Sequence, residues 1–306
     1  MISYIIKRVL QMIPTLISVS IITFALIHMI PGDPARIIAG EDASQHDVQQ
    51  IRERLGLDKP LYVQYGMYMA NLVKGDFGNS IRSDRPVLKE ILTRFPTTIT
   101  LTVMAIIIMV VIGLFAGIFS ATKPNSLRDN FTMMFSLFGI SMPVFWLGLM
   151  LILAFSYYLP IFPSGGNSSF KYFILPAVAV GLSSSAILAR LTRSSILEVI
   201  HQDFVRTARA KGVKEKVVIY KHTLKNALIP IITIIGLEFG QLLGGAVLTE
   251  TVFSMNGLGR FVIQSIQFRD YPAVQGSILF IAAIFVFVNL IVDLCYSLVD
   301  PRVRYD

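Results

Sequence analysis

Residues 95–122 read FPTTITLTVMAIIIMVVIGLFAGIFSAT, 28 consecutive positions without an Asp, Glu, Lys or Arg. A helix crosses a hydrocarbon core about 30 Å thick with roughly 20 apolar residues, so this stretch is long enough to span a bilayer. Five further stretches flank it: Val9 to Gly32 before, then Phe131 to Phe170, Tyr172 to Ala189, Asn226 to Thr249 and Tyr271 to Val292. The run LPIFPSGGNSS at 159–169 is rich in turn formers, which ends the third helix near Leu159. Glu238 alone interrupts the fifth. Composition agrees with this pattern, because 54% hydrophobic against 15% charged residues and a mean hydropathy of +0.66 exclude both an ordinary soluble globule and a disordered chain. The single Cys295 excludes a disulfide framework or a cysteine zinc site. The expected fold is therefore all-α: a polytopic membrane protein of six transmembrane helices.

Charge decides the orientation, since short cytoplasmic loops collect Lys and Arg. The N-terminus, 123–130, 190–225 and the C-terminus hold 15 basic and 6 acidic residues, net +9. The opposite face, made of 31–94, the turn near 165 and 250–270, holds 12 basic and 11 acidic residues, net +1. Both termini are thus expected in the cytoplasm, and the first helix as an uncleaved span, its apolar run exceeding a signal peptide's and no A-x-A site preceding PGDPAR at 31–36. The high isoelectric point reflects topology, with no basic patch beyond it to suggest nucleic acid. The outer segment 31–94 carries apolar residues at helical spacing (Val48, Ile51, Leu55, then Leu61, Tyr65, Tyr68, Leu72) between breakers at Gly56, Pro60, Gly75 and Pro86, which predicts a small helical cap. The organisation is then 1–30 with the first span, 31–94 outside, and 95–306 as the core.

Enzymatic motifs are missing. There is no G-x-x-x-x-G-K-[ST] phosphate loop, H-E-x-x-H, G-x-S-x-G or C-x-x-C, and His28, His46, His201 and His222 fall far apart on different sides of the bilayer. A catalytic or metal site is not expected, nor a cofactor bound by this chain.

The inner segment 190–225 is too long for a simple helix–helix link and must carry its own structure. Ser195-x-x-Glu198 fits a capping box, and DFVRTARAKG at 203–212 predicts a short helix with Asp203 at its start, basic residues late and Gly212 as terminator. Such an amphipathic helix on the membrane face suits the groove of a cytoplasmic partner. A basic face resting on anionic lipid is the other possibility.

RTARAKG at 206–212 followed by HTLKNALIP at 222–230 resembles the loop by which permease subunits of ATP-binding-cassette importers contact their ATPases. That loop starts Glu-Ala-Ala, has a Gly six positions after the Glu and ends near Leu-Pro. Here Arg206 and Thr207 replace the first two residues, while Ala208, Gly212 and Pro230 keep the pattern. The departure is typical of the dipeptide, oligopeptide and nickel permease branch. PTLISVSIITF (14–24), PGDPAR (31–36), LGLDKPLYVQY (55–65), GDFGNS (75–80), NGLGR (256–260), RDYPAVQG (269–276) and DPRVR (300–304) resemble the same branch from end to end, and MIPGDPARIIAG (29–40) is similar to glutathione and dipeptide permeases. The resemblance implies a type I importer permease in a bacterial inner membrane, importing peptides. Its implied partners are a second permease, one or two kinds of ATPase that bind ATP and Mg, and an extracytoplasmic solute-binding protein. It also implies an ATPase-coupling helix carrying Asp203, Arg206, Thr207, Ala208, Arg209, Lys211 and Gly212. A secondary transporter or channel is the alternative; inverted repeats or charged relays in the spans would favour it, and neither is visible.

Helix five has two faces. Gly236, Gly240 and Gly244 form a small-residue seam for close helix approach, with Glu238, Gln241 and Gly245 roughly opposite. A carboxylate in hydrocarbon costs a few kcal/mol, so Glu238 must face protein or water. It is expected either on the translocation path, near a peptide ammonium, or paired with Arg190 or Arg193. Asn289 and Asp293 give helix six a comparable polar stripe. Gly113-x-x-x-Gly117 and the Met142-Pro143 break are expected as packing and kink features.

Overall fold

The computed structural model describes residues 2–29, 33–40, 43–54 and 56–299. Gly32, Leu55 and the run DPRVR lie outside them. The described residues are helical, in the order α1 (Ile2–Met29), α2 (Pro34–Ala39), α3 (Gln45–Arg54), α4 (Leu61–Val73), α5 (Val87–Ala121), α6 (Leu127–Ser141), α7 (Val144–Ile152), α8 (Lys171–Ile200), α9 (Asp203–Ala210), α10 (Glu215–Val217), α11 (Leu224–Gly245), α12 (Val247–Val252), α13 (Leu258–Gln267) and α14 (Tyr271–Val299). Five helices are long and apolar enough to span, and the bent pair formed by α6 with α7 and its continuation to Tyr158 makes six.

The third span is broken rather than straight. Pro143 lacks the N–H that would continue α6, Met142 turns to extended backbone (φ −81°, ψ 127°), and the two halves meet at 96°. The second half ends in a π turn, Leu153–Tyr158, at the boundary expected near Leu159. Ser126 caps the first half with its Oγ on the Asp129 N–H at 3.4 Å.

The fourth span corrects the expectation at its C-terminal end. Ser195 does not open a capping box, because α8 runs unbroken to Ile200 with Ser195, Ile196 and Val199 all buried. Burying Ile196 and Val199 stabilises about three further helical turns that composition alone had assigned to a loop. The helix of the fifth span likewise starts earlier than its apolar run at Asn226, since α10, a π turn at Val218–Thr223 and α11 form one continuous helix from Glu215.

The described residues fall into two compact groups. One comprises residues 97–256 and 287–299. Here α5 and α8 cross on small residues: a Cβ on Gly113 would lie 2.8 Å from Leu188 Cβ, one on Gly117 2.5 Å from Thr192 Cβ, and one on Gly181 2.7 Å from Ile108 Cβ. Met109, Leu188, Ile196, Val205, Val218 and Ile231 build the larger core of this group, and Leu101, Phe173, Phe253 and Met255 a second. Arg193 donates from Nε and Nη2 to the two carboxylate oxygens of buried Asp129, both at 2.6 Å, and Ser120 donates to the same carboxylate.

The other group comprises residues 2–96 and 257–286. α2 begins with Pro34 behind an Asp33 cap whose carboxylate accepts the Ala35 N–H at 3.0 Å and pairs with Arg52 of α3. α4 lies along α1, with Ser20 and Tyr65 hydroxyls 2.8 Å apart and Phe24 edge-on to the Tyr65 ring. Val87, Ile91, Leu258, Phe261 and Ala273 join the start of α5 to α13 and the start of α14.

Candidate functional site

The short helix expected from DFVRTARAKG is α9, and its faces are sharply divided. Val205 and Ala208 are buried in the core with Val199, Val218 and Ala227, while Asp203, Phe204, Arg206, Thr207, Arg209 and Lys211 are exposed. Ala208 therefore anchors α9 to the core. Burying Val205 fully is worth roughly 1.5–3 kcal/mol, enough to hold an eight-residue helix that would be marginal alone.

Gly212 terminates α9 as expected. It stands at φ +73°, its N–H bonds the Arg209 carbonyl at 2.9 Å, and the Val213 N–H returns to the Ala208 carbonyl at 3.3 Å. That pair of bonds is a Schellman motif, which places Val213 against the same core as Ala208. Arg209 then reaches forward to Glu215 with Nη2 at 2.7 Å and Nε at 3.2 Å, clamping α9 to α10 and holding the guanidinium above even its ordinary range. The result is a rigid, cationic element whose outer surface is flanked by exposed Val217 and Tyr220.

The polar residues of the spans are not gathered into one site. Gly236 is buried against Val292 of α14, which realises the expected seam at that position; Gly240 is buried too, but Gly244 is exposed. Glu238 follows Gly236 by two residues, about 200° around the helix, and so points away from the α14 contact. It is half-buried beside exposed Leu237 and Gln241, and it makes no side-chain hydrogen bond or ion pair among the described residues. The Arg193 partner considered from sequence is occupied by Asp129. Asn289 and Asp293 are half-buried on α14, and Asp293 is engaged within the chain.

Four buried acids, Glu90, Asp129, Glu250 and Asp270, were not singled out by sequence. Glu250, fully buried, accepts the Thr98 hydroxyl at 2.6 Å, and Asp129 holds Arg193 as described. The Thr98 and Arg193 partners lie 152 and 64 residues away in sequence, so no local pattern marks these two pairings.

Comparison with known proteins places the chain. The family model described as "binding-protein-dependent transport system inner membrane component" matches residues 113–305, and the N-terminal model of the same transport-system membrane component matches residues 1–102. The dipeptide transport system permease protein DppB of Alkalihalophilus pseudofirmus is 46% identical, with all of both chains covered. The glutathione transport system permease protein GsiC of Escherichia coli K12 is also 46% identical over the whole of both chains. Among solved structures, the inward-facing MetNI methionine ABC transporter shares the fold at TM-score 0.58 and 19% identity, covering 69% of this chain and 96% of that one.

Proposed function

Because the chain belongs to the family of inner membrane components of binding-protein-dependent transport systems, we propose that it is one of two permease subunits of an ATP-driven peptide importer, with α9 as the element that receives force from the ATPases. Full-length relatives named for dipeptide and glutathione transport support the substrate class. The observation that carries the coupling role is the construction of α9: its inner face is buried in the core, its end is locked by Gly212, and its outer face is cationic and uncovered. An element held on two sides moves with whatever grips the third. ATP-driven closure of an ATPase dimer would displace α9 together with the helices packed on it, opening the pathway outward, and hydrolysis would reset the inward state.

In this account the chain sits in the bacterial inner membrane with both termini in the cytoplasm. A second permease completes the pathway, an extracytoplasmic binding protein delivers peptide, and ATP and Mg are bound by partner ATPases. The uncovered strip of Leu237, Glu238 and Gln241 faces the pathway or the second permease, where Glu238 can meet a peptide ammonium. The test is purification of the assembled complex into proteoliposomes. ATPase activity stimulated by binding protein plus dipeptide, tripeptide or glutathione, with concentrative uptake of the same solute, is expected. Uptake driven by an ion gradient without ATPase subunits would overturn the proposal.

A further inference from the structure

Two of the recognisable motifs, GDFGNS at 75–80 and RDYPAVQG at 269–276, are not used by α9 or by the polar strip, yet the fold brings them together. Asp270, 2% exposed, accepts the Ser80 hydroxyl at 2.5 Å and the Ile81 and Arg82 N–H groups at 3.1 and 3.4 Å. Ser80 in turn accepts the Ser83 N–H at 3.1 Å and bonds back to Arg85 through its own N–H at 2.9 Å. Gly276 lies so close to Val87 and Phe77 that a Cβ there would stand 2.8 Å from Val87 Cγ1. The turn 80–85 is thus fixed from below by a buried carboxylate nearly 190 residues away.

This turn, the first two turns of α5 and α13 enclose a cavity of about 340 Å³. Its charged lining consists of Arg82, Arg85, Arg94, Glu90 and Asp270. Asp270 is spent on the turn. Glu90, 8% exposed, is ion-paired with Arg94 and lies 3.8 Å from Arg85. Arg94 stacks on Phe261 at 4.2 Å and Arg82 on Phe268 at 3.8 Å. A guanidinium stacked on a ring keeps its in-plane N–H donors available at the edge, and the Arg82 side chain has no acceptor among the described residues. Three guanidiniums against two carboxylates leave one cationic excess, which suits a single carboxylate.

The cavity also lies outside the hydrocarbon. α5 has 35 residues, about 52 Å, against a core of about 30 Å, and its uncharged run begins only at Phe95, so Glu90 and Arg94 project beyond the bilayer. Both contributing segments, 80–94 and 261–270, belong to the face of low net charge. A free peptide would bring an ammonium as well as a carboxylate, and the cavity's acids are already engaged. We propose that this cavity is a socket on the extracytoplasmic face for an acidic side chain of the solute-binding protein, with Arg82 and Arg85 taking its carboxylate and Asp270 acting as the positioning residue. The proposal rests on the importer function proposed above.

The test uses the whole complex in nanodiscs with the binding protein that stimulates the wild-type ATPase. Arg82→Glu and Arg85→Glu should each weaken binding-protein association by about tenfold or more. They should shift half-maximal stimulation to correspondingly higher concentration, with assembly and basal ATPase unchanged. Arg82→Gln, which keeps length without charge, should be intermediate. An Asp or Glu→Arg change on the binding protein should restore affinity for the Arg82→Glu complex while weakening that for wild type. Wild-type affinity and stimulation in both reversal variants would overturn the socket and leave the importer function standing. If affinity is unchanged and the variants instead lose co-purifying anionic phospholipid, the cavity belongs to lipid phosphate and the proposal falls. If no binding protein stimulates a wild-type complex that hydrolyses ATP, both fall together.

Discussion

Gly212 and Glu238 are each decided by what surrounds a single residue. At Gly212 there is open space where a Cβ would lie, so the constraint is the left-handed backbone at φ +73° and not crowding. A β-branched residue there costs roughly 1 kcal/mol or more, small for a membrane bundle but sufficient to re-aim the chain leaving α9. Gly212→Val should leave the subunit inserted and paired with its permease partner while ATPase association weakens or hydrolysis uncouples from uptake. Gly212→Asn, which tolerates this backbone, should retain coupling, and normal transport by the Val variant would move α9 to lipid-surface binding. Glu238 is half-buried with no ion pair among the described residues, so Glu238→Gln removes charge without removing a bond. Loss of uptake with intact assembly is expected; failed assembly would instead make Glu238 an interface residue. Gly212 was legible in sequence because a helix stop is local. Asp129 with Arg193, and Asp270 with the turn at Ser80, were not, because their partners meet only through the tertiary fold.

Among the helices, positions of the spans followed from runs of uncharged residues, as did the end of the third near Leu159 and the start of the sixth at Tyr271, but the other ends did not. Charge ends an apolar run, but a helix continues wherever its next turn is buried. That is why α8 runs past Arg190 and Arg193 to Ile200, and why α5 starts at Val87, with Val87 and Ile91 fully buried, instead of at Phe95. The Pro143 break was visible as a break, while its 96° angle was not. The glycines of α5 are sharper evidence of packing than their spacing suggested. At Gly117 an added Cβ would meet the Ala189 carbonyl oxygen at 2.7 Å as well as Thr192, and backbone cannot rotate away. Gly117→Ala should therefore lower the stability of the subunit by about 1–3 kcal/mol, read as a lower midpoint in thermal unfolding of the detergent-solubilised protein. Gly66 of α4, with nothing near its Cβ position, should accept Ala without loss. Equal tolerance at both would remove the α5–α8 contact as a determinant of the fold.

For the chain as a whole the open quantity is orientation, and the charge split of +9 against +1 makes a definite prediction. Cysteine labelling can check it once Cys295→Ser removes the background thiol. Ser44 is exposed at the start of α3, in the outer segment, so Ser44→Cys should react with a membrane-impermeant maleimide in intact cells. The inner counterpart is best placed at Lys123 and not at neighbouring Asn125, which stands at φ +59° and whose N–H is held by the Asp129 carboxylate at 2.8 Å. A Cys at Asn125 would strain that turn and loosen the Asp129–Arg193 pair, confusing topology with folding. Lys123 is exposed and makes no side-chain bond among the described residues, so Lys123→Cys reports only on the side of the membrane. It should stay unlabelled in intact cells and react after permeabilisation. The opposite pattern would put α9 on the outer face and end its role as an ATPase-docking element. Because the 31–94 and 250–270 segments would then be cytoplasmic, the arginine socket would lose its extracytoplasmic partner in the same experiment. Labelling at both positions in intact cells would mean an even number of crossings between them and so contradict the single span expected there; a third probe at Arg206, exposed on α9, then decides the side of the coupling helix, since only an inward α9 stays protected there until permeabilisation.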